Sequence, residues 1–394
     1  MSNMVRVPVQ PQMLRWAADR VGMAVEDARA RFAKFDEWMS GTLHPTLNQL
    51  QDFANATHTP FGYFFLPNPP TITLPIPDFR THDGERPDEP SPDLLDTLFL
   101  CQQRQEWYSN YARSIGSDPL PFVGSVTIGA NVFGVARAIR SMLDFDLSAR
   151  RHMSTWEDAL RQFIQVADDA GILVMVNGVV GGNNTRKLDT GEFRGFALTD
   201  PLAPLVFING ADTKSAQMFT LAHELAHIWL GQSALSDITV GNVAPIATER
   251  WCDAVAAEVL VPLEQFTHDY NRSASVDMEM QRLARMFKVS TLVVLRRMRD
   301  AGGIANDEFW ELFHAEVARL MAIMAAKAGG GDYYRTTTAR VSARFTRAVV
   351  TSTVEGRSTF NEAFRLLGCK KVSTFAELGR HVGVDTGLSF QGGN

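Results

Sequence analysis

Cysteine is scarce in this chain: there are three, Cys101, Cys252 and Cys369, far apart and odd in number. That excludes a disulfide framework as the basis of the fold and points to a reducing compartment. No apolar run approaches the roughly 20 residues a membrane-spanning helix needs, and Met1-Ser-Asn-Met-Val-Arg6 leads into no signal-peptide core. The expectation is a cytoplasmic protein with no membrane partner. Excess positive charge is missing too. The 38 Lys and Arg stand against 44 Asp and Glu, a net charge of −6, so any attraction to nucleic acid must come from a local patch. What remains is the ordinary makeup of a globular chain: 394 residues, 45% hydrophobic and 21% charged, with room for two or three domains.

Against this plain background stands Leu221-Ala-His-Glu-Leu-Ala-His-Ile-Trp-Leu230, an H-E-x-x-H motif. Histidines four apart on a helix point the same way, so the rings of His223 and His227 can take two corners of a zinc tetrahedron. Glu224 sits about a quarter turn round, placed to act on an attacking water as general base. Met218, Leu221, Leu225 and Trp229 form an apolar stripe on another face; Asp212 or Thr213 can cap the helix and Gly231 suits its stop.

A catalytic site needs a third ligand and an open fourth position. The segment Thr248–Pro262 reads as a second helix, stopped by Pro262, with Glu249, Asp253 and Ala256 on one stripe. Glu249 follows His227 by 22 residues, enough for one helix to return beside the other, and is the expected third ligand. Asp253, one turn on, can accept from a ligand histidine and fix its tautomer. Cys252, one residue off the stripe, is the rival ligand.

These two helices resemble those of the ImmA/IrrE-type zinc metallopeptidases, H-E-[LI]-[AG]-H and E-x-x-A-N-x-F-A-A-x-L-L-M-P. Here they read His223-Glu-Leu-Ala-His227 and Glu249-Arg-Trp-Cys-Asp-Ala-Val-Ala-Ala-Glu-Val-Leu-Val-Pro262. The family's Ala-Asn pair is Cys252-Asp253 and its Phe is Val255. Phe193-Arg-Gly-Phe196, Pro204–Asn209 and Phe219–Ala222 match the family's run-up to the zinc helix. The resemblance is specific over about residues 165–300. It implies an α+β, mainly helical, zincin-like peptidase domain holding one catalytic Zn2+, and an endopeptidase that cuts a regulatory protein. The other function class is a non-hydrolytic regulator, binding DNA or a co-encoded toxin in the manner of an antitoxin.

The rest of the chain divides around that domain, taken as residues 119–272. Residues 10–66 resemble a Cro/repressor-type (XRE-like) helix-turn-helix domain through Trp38-Met-Ser-Gly41 and His44-Pro-Thr46, with helices expected at Gln12–Arg20, Val25–Phe32 and from a Thr46 cap to Ala56. Only 16 residues separate Gly22 from Trp38, so the recognition helix is shortened, and six Lys/Arg balance six Asp/Glu over residues 1–66. That favours protein contacts or homodimer formation over operator binding. Residues 67–118 comprise a proline-rich linker, whose Leu74–Arg80 stretch is a candidate for docking on the peptidase, and a long helix from Ser91 to Ile115.

Within the peptidase, helices are expected at Asn131–Leu143 and Thr155–Ala170 and strands at Gly171–Val176, Phe193–Leu198 and Leu205–Ile208. Phe193, Arg194 and Gly195 open the strand expected to form the sheet edge to which an extended substrate adds. His268 and Tyr270 are candidates for steadying an oxyanion. Residues 273–328 form a basic helical subdomain: from 280 to 299 there are six Lys/Arg and no Asp/Glu, reading as helix, Val289-Ser290 turn, helix. Arg296, Arg297 and Arg299 are the candidate DNA contacts. Gly329–Asp332 sets off a mildly basic C-terminal module, 329–394, with helices at Val341–Ser352 and Thr359–Leu367. It serves either to bind a partner or to complete the peptidase core.

Overall fold

A computed structural model describes residues 5–77, 89–145, 147–236, 247–325 and 340–388. The expected Gly329–Asp332 separator and residues 78–80 of the docking stretch lie outside the described residues. No helix among the described residues is long and apolar enough to cross a membrane. The chain divides into two compact units, one of residues 1–75 and 87–98, the other of residues 76–86 and 99–394.

The first unit contains α1 (Pro11–Asp19), α2 (Val25–Arg31), α3 (Phe35–Met39), α4 (Leu47–Ala56), a 3-10 turn (Phe61–Phe65) and the start of α5 (Pro92–Ser114). Thr46 caps α4 as expected, its hydroxyl accepting from Gln49 N–H while the Gln49 side chain accepts from Thr46 N–H. Phe53 is the hub of the core, with the rings of Phe32, Phe35 and Phe64 at 5.2, 5.9 and 5.8 Å. The third helix is only five residues long. Its Asp36 and Glu37 pair with Arg29 and Lys34 at 2.9 and 2.8 Å, so local positive charge is neutralised within the unit.

In the second unit, α6 (Val132–Met142), α7 (Leu147–Arg151) and α8 (Trp156–Asp169) precede the strands. These are β1 (Leu173–Asn177), the hairpin β2 (Val179–Val180) and β3 (Asn183–Lys187), β4 (Gly195–Leu198) and β5 (Leu205–Asn209). The helix α9 (Lys214–Leu230) then packs on the sheet and is followed by β6 (Ala234–Ser236). Alternate strand residues (Val174, Ala197, Val206, Ile208) join Leu221, Leu225 and Ile228 of α9 in one core, the period-two alternation meeting the helix stripe.

The four-stranded sheet has the order β1-β5-β4-β6, with β1 and β5 parallel and both other pairings antiparallel. This corrects the expected edge. Gly195 opens a strand paired on both sides, with Ile208 of β5 and Ser236 of β6, so Phe193-Arg-Gly195 does not begin a free edge. The cause lies after α9. Gly231 adopts φ +70°, ends the helix and turns the chain back, and a Cβ there would lie 2.8 Å from Gly124 Cα. On the outer side of β6, Leu235 N–H donates to the Pro77 carbonyl (3.0 Å), so the proline-rich stretch does meet the sheet at that residue.

Beyond the sheet come α10 (Ala247–Leu260), α11 (Leu263–Asp269), α12 (Val276–Phe287), α13 (Thr291–Asp300) and α14 (Asn306–Ala325), then α15 (Ala343–Val354), α16 (Phe360–Leu367) and α17 (Val372–His381). The last three fold into the same unit. Ser342 hydroxyl and Arg344 N–H donate to the Asp168 carboxylate, Arg104 Nε donates to Leu366 O, and Phe345 packs edge-on against Trp107 at 5.7 Å. The contacts of this C-terminal segment favour the second of its two expected uses, completion of the core.

Candidate metal centre

The helix α9 is long because its ends are well specified. Thr213 accepts from Ala216 N–H at the start, and Gly231 supplies the left-handed residue at the end. From Gln217 to Leu230 every residue is buried. Polar side chains in such a helix must find partners inside the protein, since burying an unpaired charge costs several kcal/mol. Ala222 and Ala226 on α9 and Ala256 and Ala257 on α10, all at most 1% exposed, let the two helices pack closely.

That approach brings His223, His227 and Glu249 together with their ligand atoms within 4.8 Å of one another. The two Nε2 atoms are 3.2 Å apart. Glu249 turns one carboxylate oxygen to each ring, at 3.1 Å from His223 and 3.2 Å from His227. For bonds of about 2.0–2.1 Å, a tetrahedral ion has ligand atoms about 3.3–3.4 Å apart, so the three separations suit a small divalent metal such as zinc. The chemistry of the set agrees: two imidazoles and one carboxylate leave a fourth position for water or substrate.

Asp253 accepts at His223 Nδ1 (3.0 Å), which leaves the Nε2 lone pair for a metal, and its other oxygen accepts from Arg296 at 3.0 Å. Burial pushes the Glu249 carboxyl up, yet the charge of His223 and hydrogen bonds from both imidazoles outweigh it and hold it at about 2. Burial works against Asp253 ionising as well, but Arg296 and His223 keep it below the ordinary carboxylate range. Two anionic carboxylates are thus buried against two imidazoles, an environment that favours a cation.

Glu224 is fully buried and lies under the start of β4. A Cβ added at Gly195 would come 2.5 Å from Thr220 Cγ2, 2.8 Å from the Phe207 carbonyl oxygen and 3.3 Å from Glu224 Oε1. Only a glycine lets the strand cross the helix that closely. Gly195→Ala is expected to cost roughly 1–3 kcal/mol by overpacking, read as a lower urea midpoint. Adding Thr220→Ser, which removes the nearest methyl, should restore part of the loss. An unchanged midpoint in G195A would contradict this packing.

The remaining candidates are placed elsewhere. Cys252 is buried, its thiol pushed up by burial and then by Glu249, Glu224 and Asp253; it lies outside the three-residue ligand group. His268 and Tyr270 follow the far end of α10, which rises about 17 Å between Glu249 and Leu260. The His268 side chain is 86% exposed beside Asp269, and Tyr270 packs on the Phe266 ring at 5.4 Å. Neither has a hydrogen bond, ion pair or ring contact with His223, His227 or Glu249; Pro262 separates α10 from α11, which carries His268. Arg194 pairs with Asp212 at 3.5 Å, the structural use of such a residue.

The three arginines proposed for DNA are also committed within the chain. Arg297 is 5% exposed and pairs with Glu258 (2.8 Å) and Asp300 (3.2 Å). Arg299 pairs with Asp300 and lies over the Phe309 ring at 4.3 Å, while Arg296 holds Asp253. Two of the three, Arg296 and Arg297, turn to the acidic residues Asp253 and Glu258 of α10, while Arg282 and Arg285 on α12 stay exposed. Sequence reasoning missed Arg296 as part of the centre. The one signal for it was the basic run of 280–299 itself, which needed acidic partners from another segment.

With this geometry established, comparison with known families bears on it. Residues 341–381 match a family model described as a domain of unknown function. No curated protein and no solved structure matches the chain. Residues 167–299 match a peptidase family model described as the IrrE N-terminal-like domain, which takes in β1 through α13 and supports the ImmA/IrrE resemblance for that stretch.

Proposed function

We propose that this chain is a zinc-dependent metallo-endopeptidase of the ImmA/IrrE type that works in the cytoplasm on a regulatory protein. The observation that carries the reading is the buried triangle of His223, His227 and Glu249, with the buried Glu224 following His223 on the same helix. A purely structural site has no need of a general base. Zinc bound there supplies Lewis acidity, activating a water and polarising a scissile carbonyl. Glu224 takes the proton of the attacking water and passes it to the leaving amine. Asp253 keeps His223 in one tautomer.

An extended substrate adds most simply at the outer side of β6, one strand beyond β4, and there it must displace the Pro77 carbonyl from Leu235. The first unit, with its short acidic third helix, serves protein contacts or dimerisation in this reading. The DNA-binding alternative is less favoured in this reading, since Arg296, Arg297 and Arg299 each have an acidic partner within the chain.

The test uses a proteome-derived peptide library read by mass spectrometry. New termini are expected with the zinc-loaded chain, to vanish on chelation and to return when zinc is restored. Cleavage that persists after chelation, or no cleavage by the metal-loaded chain, would count against the proposal.

A further inference from the structure

We infer that Arg296, on α13, is a positioning residue of the metal centre, holding the Asp253 carboxylate in the orientation that aligns the His223 ring toward the ion. The inference rests on the metal-site half of the proposed function.

The geometry is a three-member chain. Arg296 donates to Asp253 Oδ2 at 3.0 Å, and Asp253 Oδ1 meets His223 Nδ1 at 3.0 Å. One oxygen is used for each partner, so the carboxylate cannot rotate about its own bond without losing one of them. Asp253 alone has free rotation at that end; an arginine fixed from a second helix removes it. The helix that carries Arg296 is itself well held. Ser290 caps it, accepting from Val293 N–H, and Val294, Leu295 and Met298 are at most 1% exposed. The neighbouring arginines cannot substitute, because Arg297 is engaged with Glu258 and Arg299 with Asp300. Two polar steps thus connect α13 to a ligand on α9, although the two helices lie on either side of α10 in sequence.

The simpler role is a staple between α13 and α10, without consequence for the metal. The two differ in what metal binding reads. The experiment takes the full chain as wild type, R296M, R296K, D253N and the double variant D253N/R296M, with R282M as a control that breaks an ion pair on α12. Zinc affinity is measured by competition with a chromophoric chelator, the visible spectrum is recorded with cobalt in place of zinc, and urea midpoints are taken for the metal-free forms. A positioning role predicts a roughly 10–100-fold loss of zinc affinity in R296M, as for other residues that support a ligand histidine. It also predicts an altered cobalt spectrum, recovery of most of the affinity in R296K, and a double variant no weaker than D253N alone. Wild-type affinity and an unchanged spectrum in R296M, with any loss confined to the urea midpoint, would overturn it and leave a staple. Failure of the wild type to bind zinc would overturn both this and the metal reading. Zinc binding without peptide cleavage would remove the peptidase reading and leave this inference standing.

Discussion

A Glu224→Gln variant is expected to keep its metal and lose turnover by about 10²–10⁴-fold, the range over which a general acid–base group contributes. Glutamine has the shape of glutamate, so the fully buried position under Gly195 stays filled and the packing of α9 on β4 is undisturbed. The amide cannot take a proton from water. The loss therefore falls on kcat, with KM little changed, because Glu224 contributes to the transition state and not to holding the substrate. His223, His227 and Glu249 are untouched, so zinc affinity should stay within a few-fold of wild type. Turnover retained in E224Q would mean that another group does the proton transfer. A non-hydrolytic regulator predicts a different pattern, with partner binding equal in the two proteins and no turnover in either.

The second large effect is expected from Glu249→Ala. This carboxylate faces both imidazoles and is 6% exposed, so no solvent group can replace it without reorganisation of α10. The affinity for zinc should fall by more than the roughly 100-fold that removal of a supporting residue costs. Linkage gives a second readout. An ion present at a thousand times its dissociation constant stabilises the folded chain by about 4 kcal/mol, so chelation should lower the unfolding temperature of wild type and leave that of E249A unchanged. If Cys252 were the third ligand instead, E249A would keep its metal and a C252A variant would lose it.

The three residues that could hold a metal are legible in the amino-acid sequence because local periodicity encodes them. The i, i+4 spacing puts His223 and His227 on one face, and the Thr213 and Gly231 boundaries are local capping chemistry. The Glu249, Asp253 stripe is local too. What escaped were choices made between distant segments. Ala234-Leu-Ser236 is too short to show an alternation, so nothing in the sequence revealed that it would cover β4 and remove the expected edge. The 280–299 run has the composition of a nucleic-acid surface, and only the position of Asp253, Glu258 and Asp300 shows that Arg296, Arg297 and Arg299 have acidic partners within the chain. His268 and Tyr270 are of the right chemical type, but they follow Pro262, which separates α10 from α11, and their contacts are with other residues. In the first unit the Thr46 cap and the shortened third helix were both readable, since each depends on residues within a few positions.

The most direct measurement is the zinc content of three purified proteins, wild type, E224Q and E249A, by elemental analysis. A centre built from His223, His227 and Glu249, with Glu224 acting only on protons, predicts one ion per chain in the first two and none in the third. An ion kept by E249A, or absent from the wild type after zinc is supplied, would contradict it.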